Sequence, residues 1–272
     1  MDAAGRTGQF IVDVLRLAVW LGILAACFVP LERMFALRPP TARRNGIGSS
    51  IAYYFLSNLL PAVLLAVPAA LLAKAAHEAL PEAWFAAVTS LPLGLQFALA
   101  LVVGEVGGYW GHRWCHESPW LWRFHAVHHS SEQLDWLANS RAHPVDMVFV
   151  RFCGLVPLHF FGLAHASPGA DFAVAWSIMT TFWSFFVHAN LRWRFGPIEW
   201  LLATPFFHHW HHSRIDHINH NYAAMFPWVD GLFGSLHLPR EWPAAYGSQT
   251  AVPEGMPAQL MEPFAKEANA NN

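Results

Sequence analysis

Apolar residues along this chain run in long blocks, not in the alternating stripes of a soluble amphipathic helix. A membrane-spanning helix needs about 20 mostly apolar residues. Three blocks meet that length: Phe10 to Pro30, Ile51 to Ala73 and Leu91 to Trp110. Pro61 and Pro68 fall inside the second, where a span tolerates them as kinks. A fourth apolar region, Val148 to Val187, breaks at Gly162 to Gly169, where His165 and Pro168 interrupt it, and is long enough for a helical hairpin. The pattern predicts an all-α, polytopic membrane protein with about four transmembrane helices. Residues 1–246 read as a single membrane-embedded domain, with a cap from 111–147 and 188–246. Residues 247–272 are polar, rich in Ala, Asn and Pro, and read as a disordered tail. There is no internal repeat.

Composition agrees with this pattern. The chain is 55% hydrophobic and 12% charged, where soluble domains carry about 25% charged residues. A net charge of -2 predicts no nucleic-acid partner. Cys27, Cys115 and Cys153 are an odd, scattered set and read as reduced thiols. The N-terminus does not read as a cleavable signal, because Asp13 and Arg16 precede the main apolar run and no small-residue cleavage site follows. Charge also predicts orientation. Arg33, Arg38, Arg43 and Arg44 follow the first block, whereas Lys74 stands against Glu78 and Glu82 after the second. The positive-inside rule puts the first connection in the cytoplasm and the second outside. The third block then returns its C-terminal end to the cytoplasmic face, and the hairpin enters and leaves on that side.

All the histidine clusters converge on that face. The chain has 17 histidines. They concentrate in His112-Arg-Trp-Cys-His116, His125-Ala-Val-His128-His129 and His208-His-Trp-His211-His212. Histidines at i and i+3 or i+4 on a helix share a face, and the extra neighbour in each HxxHH reaches toward a second ion. Neutral imidazole suits Zn, Cu, Fe and Ni, so the residues alone do not choose the metal. Carboxylates are scarce beside the clusters, which makes an all-histidine di-metal site the natural reading. His143, before the hairpin, and His188, at its end, lie at the right depth to add ligands. His209 reads as outside the metal set, His217 and His220 as behind it or at the surface, and His77, His159, His165 and His237 as structural. Three polar residues are candidates for a catalytic or supporting role. Glu105 lies two turns before His112 and either hydrogen-bonds a ligand imidazole or faces a polar cavity; Asp230 is similar, and Asn190 follows His188.

Taken together, HRWCH (112–116), HAVHHS (125–130), SRAHP (140–144), TPFFHHWHHSR (204–214), NY (221–222) and WVDGLFG (228–234) carry a family likeness. The chain resembles the fatty acid hydroxylase / sterol desaturase superfamily of integral-membrane non-haem di-iron enzymes. The motifs cover roughly residues 105 to 240, and the first 90 residues match only as generic spans. The resemblance implies a four-helix membrane core under a cytosolic helical cap. It also implies two iron ions on His112, His116, His125, His128, His129, His208, His211 and His212, with His143 and His188 as extras. The expected activity is O2-dependent hydroxylation of a C–H bond in a membrane lipid such as a sterol, fatty acyl chain or alkylglycerol, or desaturation at the same site. His209 departs from the arginine common in relatives, and Ser235 from threonine. No flavin, nicotinamide or iron–sulfur fingerprint is present, so a separate electron donor is expected, a ferredoxin or cytochrome b5-like reductase. Two other classes fit less well. A zinc hydrolase wants a carboxylate base beside its ligands, as in HExxH. A metal transporter places its ligands along a path at the bilayer midplane.

Overall fold

A computed structural model of the chain describes residues 3–39, 46–164 and 170–265. Arg43 and Arg44, used above for orientation, and His165, Pro168 and Gly169 in the expected break lie outside the described residues. The described residues form helices, 3-10 turns and loops, with two isolated β-bridges and no strand.

Among the described residues, three helices are long and apolar enough to cross a membrane: α1 (Ala3–Phe35), from Thr7 onward, α2 (Ile47–Ala79) and, after the short α3 (Glu82–Thr89), α4 (Leu93–Glu117). Their outer faces are bare: Val19, Val63 and Val67 are 63%, 70% and 67% exposed, as a lipid-facing surface would be. The fourth apolar region is two shorter helices, α6 (Pro144–Phe160) and α7 (Ala170–His188), which follow α5 (Pro119–His125). The chain closes with α8 (Pro205–His211), α9 (Pro227–Phe233) and α10 (Met256–Met261).

Helix α6 lies directly against α4 along a seam of glycines. A Cβ added at Gly111 would sit 2.8 Å from Cys153 Cβ, and one at Gly107 would sit 2.7 Å from Pro157 Cγ. Small residues let two backbones approach where apolar solvent supplies no hydrophobic drive. The seam fixes the height of α6 relative to the histidines at the end of α4. A second joint holds α1 to the cap. Glu32 Oε1 accepts from the Trp136 and Asn190 amides at 2.8 and 2.9 Å, while Leu24 and Phe28 pack with Trp136, Phe185 and Leu191.

The stretch after Gly247 differs from its expected disorder. Through residue 265 it is placed by anchors that a composition count hides. Phe264 packs edge-on against Phe124, and the Leu260 carbonyl receives a hydrogen bond from His143. Residues 266–272 lie outside the described residues.

Candidate metal centre

Three short helices begin alike, and the shared start explains where their histidines fall. Ser118 precedes Pro119 of α5, His143 precedes Pro144 of α6, and Thr204 precedes Pro205 of α8. In each, the first side chain accepts an amide hydrogen bond and proline takes the first helical position, where its missing N–H costs nothing. Helices α5 and α8 are so short that their last turns carry His125 and His208, His211 and His212 directly into the centre.

The structure gathers nine histidines into two groups. His112, His116, His125, His129 and His211 form one; His128, His188, His208 and His212 form the other. Within each, the ligand nitrogens lie within 4.8 Å of one another. The two HxxHH runs are divided between the groups. His125 and His129 go to the first and His128 to the second, while His211 goes to the first and His208 and His212 to the second. His125 ends a helix and His128 begins a 3-10 turn, so the first run bends between its members.

Proton placement decides whether the groups fit a metal. His112 Nδ1 donates to the Tyr222 carbonyl at 2.7 Å, and His125 Nδ1 donates to Asp146 Oδ1 at 2.9 Å. Neutral imidazole carries one N–H, so both rings present bare lone pairs at Nε2. Those two Nε2 atoms face each other at 3.1 Å. The second group repeats the arrangement. His188 Nδ1 donates to the Ser184 carbonyl and His128 Nδ1 to the Arg141 carbonyl, while their Nε2 atoms stand 3.3 Å apart. Facing lone pairs repel unless a cation lies between them, so the donor sets suit metal ions.

Electrostatics keep the imidazoles in the ligating form. Burial, then the charge of neighbouring imidazoles, holds His129, His208, His211 and His212 well below the ordinary histidine range. His128 is lowered to about 4 for the same reasons, with burial first and then His125.

His143, expected among the ligands, stands apart from both groups. Its Nδ1 accepts from the Val145 amide at 3.1 Å, which leaves the proton on Nε2 to donate to the Leu260 carbonyl at 3.2 Å. With both ring nitrogens engaged, it caps α6 and pins the C-terminal stretch. His209 is likewise outside both groups, hydrogen-bonded to the Tyr246 hydroxyl at 2.8 Å and the Ala189 carbonyl at 3.0 Å.

The three polar candidates lie one remove from the histidine groups or further. Glu105 Oε1 accepts from the Met225 and Phe226 amides at 2.6 and 3.0 Å, not from an imidazole. Asp230 accepts from the Tyr222 and Ala223 amides and from Ser235 Oγ, at 2.7–2.9 Å. Burial outweighs those bonds and raises it to about 6. Glu105 ties the amides of residues 225–226 to α4, Asp230 ties those of 222–223 to α9, and the Tyr222 carbonyl sets the His112 proton. Asn190 exchanges hydrogen bonds with the Arg38 backbone at 3.1 and 2.8 Å and belongs to the joint with α1.

Asp146 was not among the expected residues. It is 6% exposed and is the carboxylate on His125. An acid in the first turn of a helix is so ordinary a choice that its position carried no signal.

A model of the fatty acid hydroxylase family matches residues 97–235, about half of the chain. The chain belongs to the fatty acid hydroxylase family. The ornithine lipid hydroxylase OlsE of Rhizobium tropici is 35% identical over 190 residues, 69% of this chain and 54% of that protein. The alkylglycerol monooxygenase of Homo sapiens is 30% identical over 164 residues, 59% of this chain and 32% of that protein. Methylsterol monooxygenase 2-2 of Arabidopsis thaliana is 26% identical over 199 residues, 72% of this chain and 70% of that protein. The chain thus spans about half the length of the first of these hydroxylases and a third of the second. No solved structure gives a significant match. The family match begins inside α4 and ends at Ser235, so it encloses all nine gathered histidines.

Proposed function

We propose that this member of the fatty acid hydroxylase family is an O2-dependent hydroxylase of a membrane lipid, working with two iron ions. One ion is held by His112, His116, His125, His129 and His211, and the other by His128, His188, His208 and His212. The observation that carries the reading is the pair of buried histidine groups with facing Nε2 lone pairs. Bound iron supplies the reduction of O2 and the oxidising power to break an unactivated C–H bond.

The chain's own residues do the rest. The Tyr222, Arg141, Ser184 and His220 carbonyls and the Asp146 carboxylate hold protons on Nδ1, which points each Nε2 lone pair inward. Burial of His129, His208, His211 and His212 keeps water away from the centre. On this reading the centre faces the cytoplasm, an alkyl chain enters from the bilayer and a separate protein delivers electrons. A hydrolase reading lacks its base: Asp146, Glu105 and Asp230 are committed to His125 and to backbone amides.

The test is metal analysis and oxygen labelling on protein from iron-supplemented cells. About two irons per chain are expected, with label from 18O2 appearing in an alkyl lipid when a reductase is supplied. Zinc retained in both groups after iron reconstitution, with no O2 consumed, would refute the reading.

A further inference from the structure

Two hollows away from the histidines share one face of α2. The first is a polar cavity of about 590 Å³ at the helix start, lined there by Gly46, Ser49 and Ser50. The second is a mostly apolar groove of about 650 Å³ between α1 and α2, lined by Ala52, Leu56, Leu59, Leu60 and Val63 and, from α1, by Phe10 with Gln9 and Asp13 at its edge. Positions 49, 52, 56, 59 and 63 recur every three or four residues, so they form one stripe down the helix. The C-terminal stretch spans the junction: Glu254 and Gln259 line the cavity, and Met256 lines the groove. The cavity lies at the start of α2, the second of the helices long and apolar enough to cross a membrane.

The cavity's chemistry is one-sided. Glu132, Asp135 and Glu254 line it with one cation, Arg141; Glu132 is paired with Arg214 at 3.0 Å and Asp135 Oδ1 receives the Leu137 and Ala138 amides, while Glu254 is exposed at the rim. Arg141 is already drawn to neutral acceptors, donating to Ser50 Oγ at 2.9 Å and to the Gly46 carbonyl at 3.1 Å. Gln259 is 4% exposed; its Nε2 donates to the Pro253 carbonyl, while its Oε1 is buried with no partner. A buried acceptor without a donor costs about 1–3 kcal/mol, and a ligand N–H would relieve it.

We propose that the cavity and groove form one binding slot for an amine-headed acyl lipid. The ammonium lies among the carboxylates and Gln259 Oε1, and one acyl chain runs along the α2 stripe. The inference concerns lipid binding and stands apart from the reading of the metal centre.

Native mass spectrometry of the detergent-solubilised chain, titrated with dioleoyl phosphatidylethanolamine or dioleoyl phosphatidylglycerol, tests it. The ethanolamine lipid should bind about tenfold more tightly, the worth of one satisfied buried polar group. Glu254→Lys, at an exposed position, and Gln259→Leu should each erase the preference. Leu56→Trp should lower retention of both lipids by filling the groove. Equal retention of the two lipids by the unaltered chain would overturn the proposal. So would a preference that survives both head-group substitutions, or displacement of the lipid by glycerophosphoethanolamine, which has the head but no chains.

Discussion

Replacing Asp146 with asparagine isolates what a single buried carboxylate does for the metal centre. Asp146 Oδ1 accepts from His125 Nδ1 at 2.9 Å, with both side chains almost wholly buried. Asparagine keeps the shape and removes the charge. A hydrogen bond to a charged group contributes about 1.5–3 kcal/mol, against about 1 for a neutral one. Asparagine's amide can also turn its N–H toward the ring, which would move the imidazole proton to Nε2 and abolish the lone pair. Loss of such a supporting bond typically lowers metal affinity about 10–100-fold. The assay is a chelator competition on the purified variant, with metal counted per chain and the thermal midpoint as a folding control. One metal should weaken by that factor, because His125 belongs only to the five-histidine group, while the four-histidine group keeps its ion. Unchanged affinity at both sites, or equal loss from both in a folded variant, would refute the assignment of Asp146 to one ligand.

Other substitutions separate ligands from supports. His188→Ala should empty the four-histidine group, whereas His143→Ala should leave metal content intact and cost about 1 kcal/mol as a lost helix cap; metal counting and denaturant melts read the two effects. Gly111→Leu should force α4 and α6 apart, lowering stability by about 1–3 kcal/mol and disturbing His112 and His125 together, seen as a lower thermal midpoint and weaker metal retention. Acidification should destabilise the metal-free chain. His128 is lowered to about 4 from an ordinary 6.5, so the unfolded chain takes up its proton first. That contribution is fully present above pH 6.5 and is lost as pH falls through 4. Thermal midpoints of metal-free protein across that range should fall, and His128→Gln should flatten the curve.

The membrane helices were legible because length and apolarity suffice to define a span: the blocks at 10–30 and 51–73 lie within α1 and α2, and the block at 91–110 enters α4 two residues after the block begins. The histidine motifs were legible because one helical turn brings i and i+4 together, as His112 and His116 show. His188 and His143 could not be told apart by the same reasoning. His143 stands just before one apolar helix and His188 at the end of another, and only the proline after His143, which repeats the starts at Ser118 and Thr204, marks it as a cap. Glu105 and Asp230 were expected in a catalytic or supporting role beside the histidines, but both bond backbone amides, more than 100 residues away in one case and seven or eight in the other. Backbone partners have no sequence signature. The placement of residues 247–265 was hidden for a related reason: a few anchors such as Phe264 outweigh a polar average.

The division of each HxxHH run between the two groups links their occupancy. His125, His128 and His129 share one bend, and His208, His211 and His212 share one short helix. An ion entering either group must immobilise both segments, and those same segments carry ligands for the other. The conformational cost is met once for two ions, so loading should be cooperative. Whichever group of the unaltered chain fills first should raise the other's affinity, so partly filled protein should be less common than two independent sites would give, while a variant weakened in one group still fills the other.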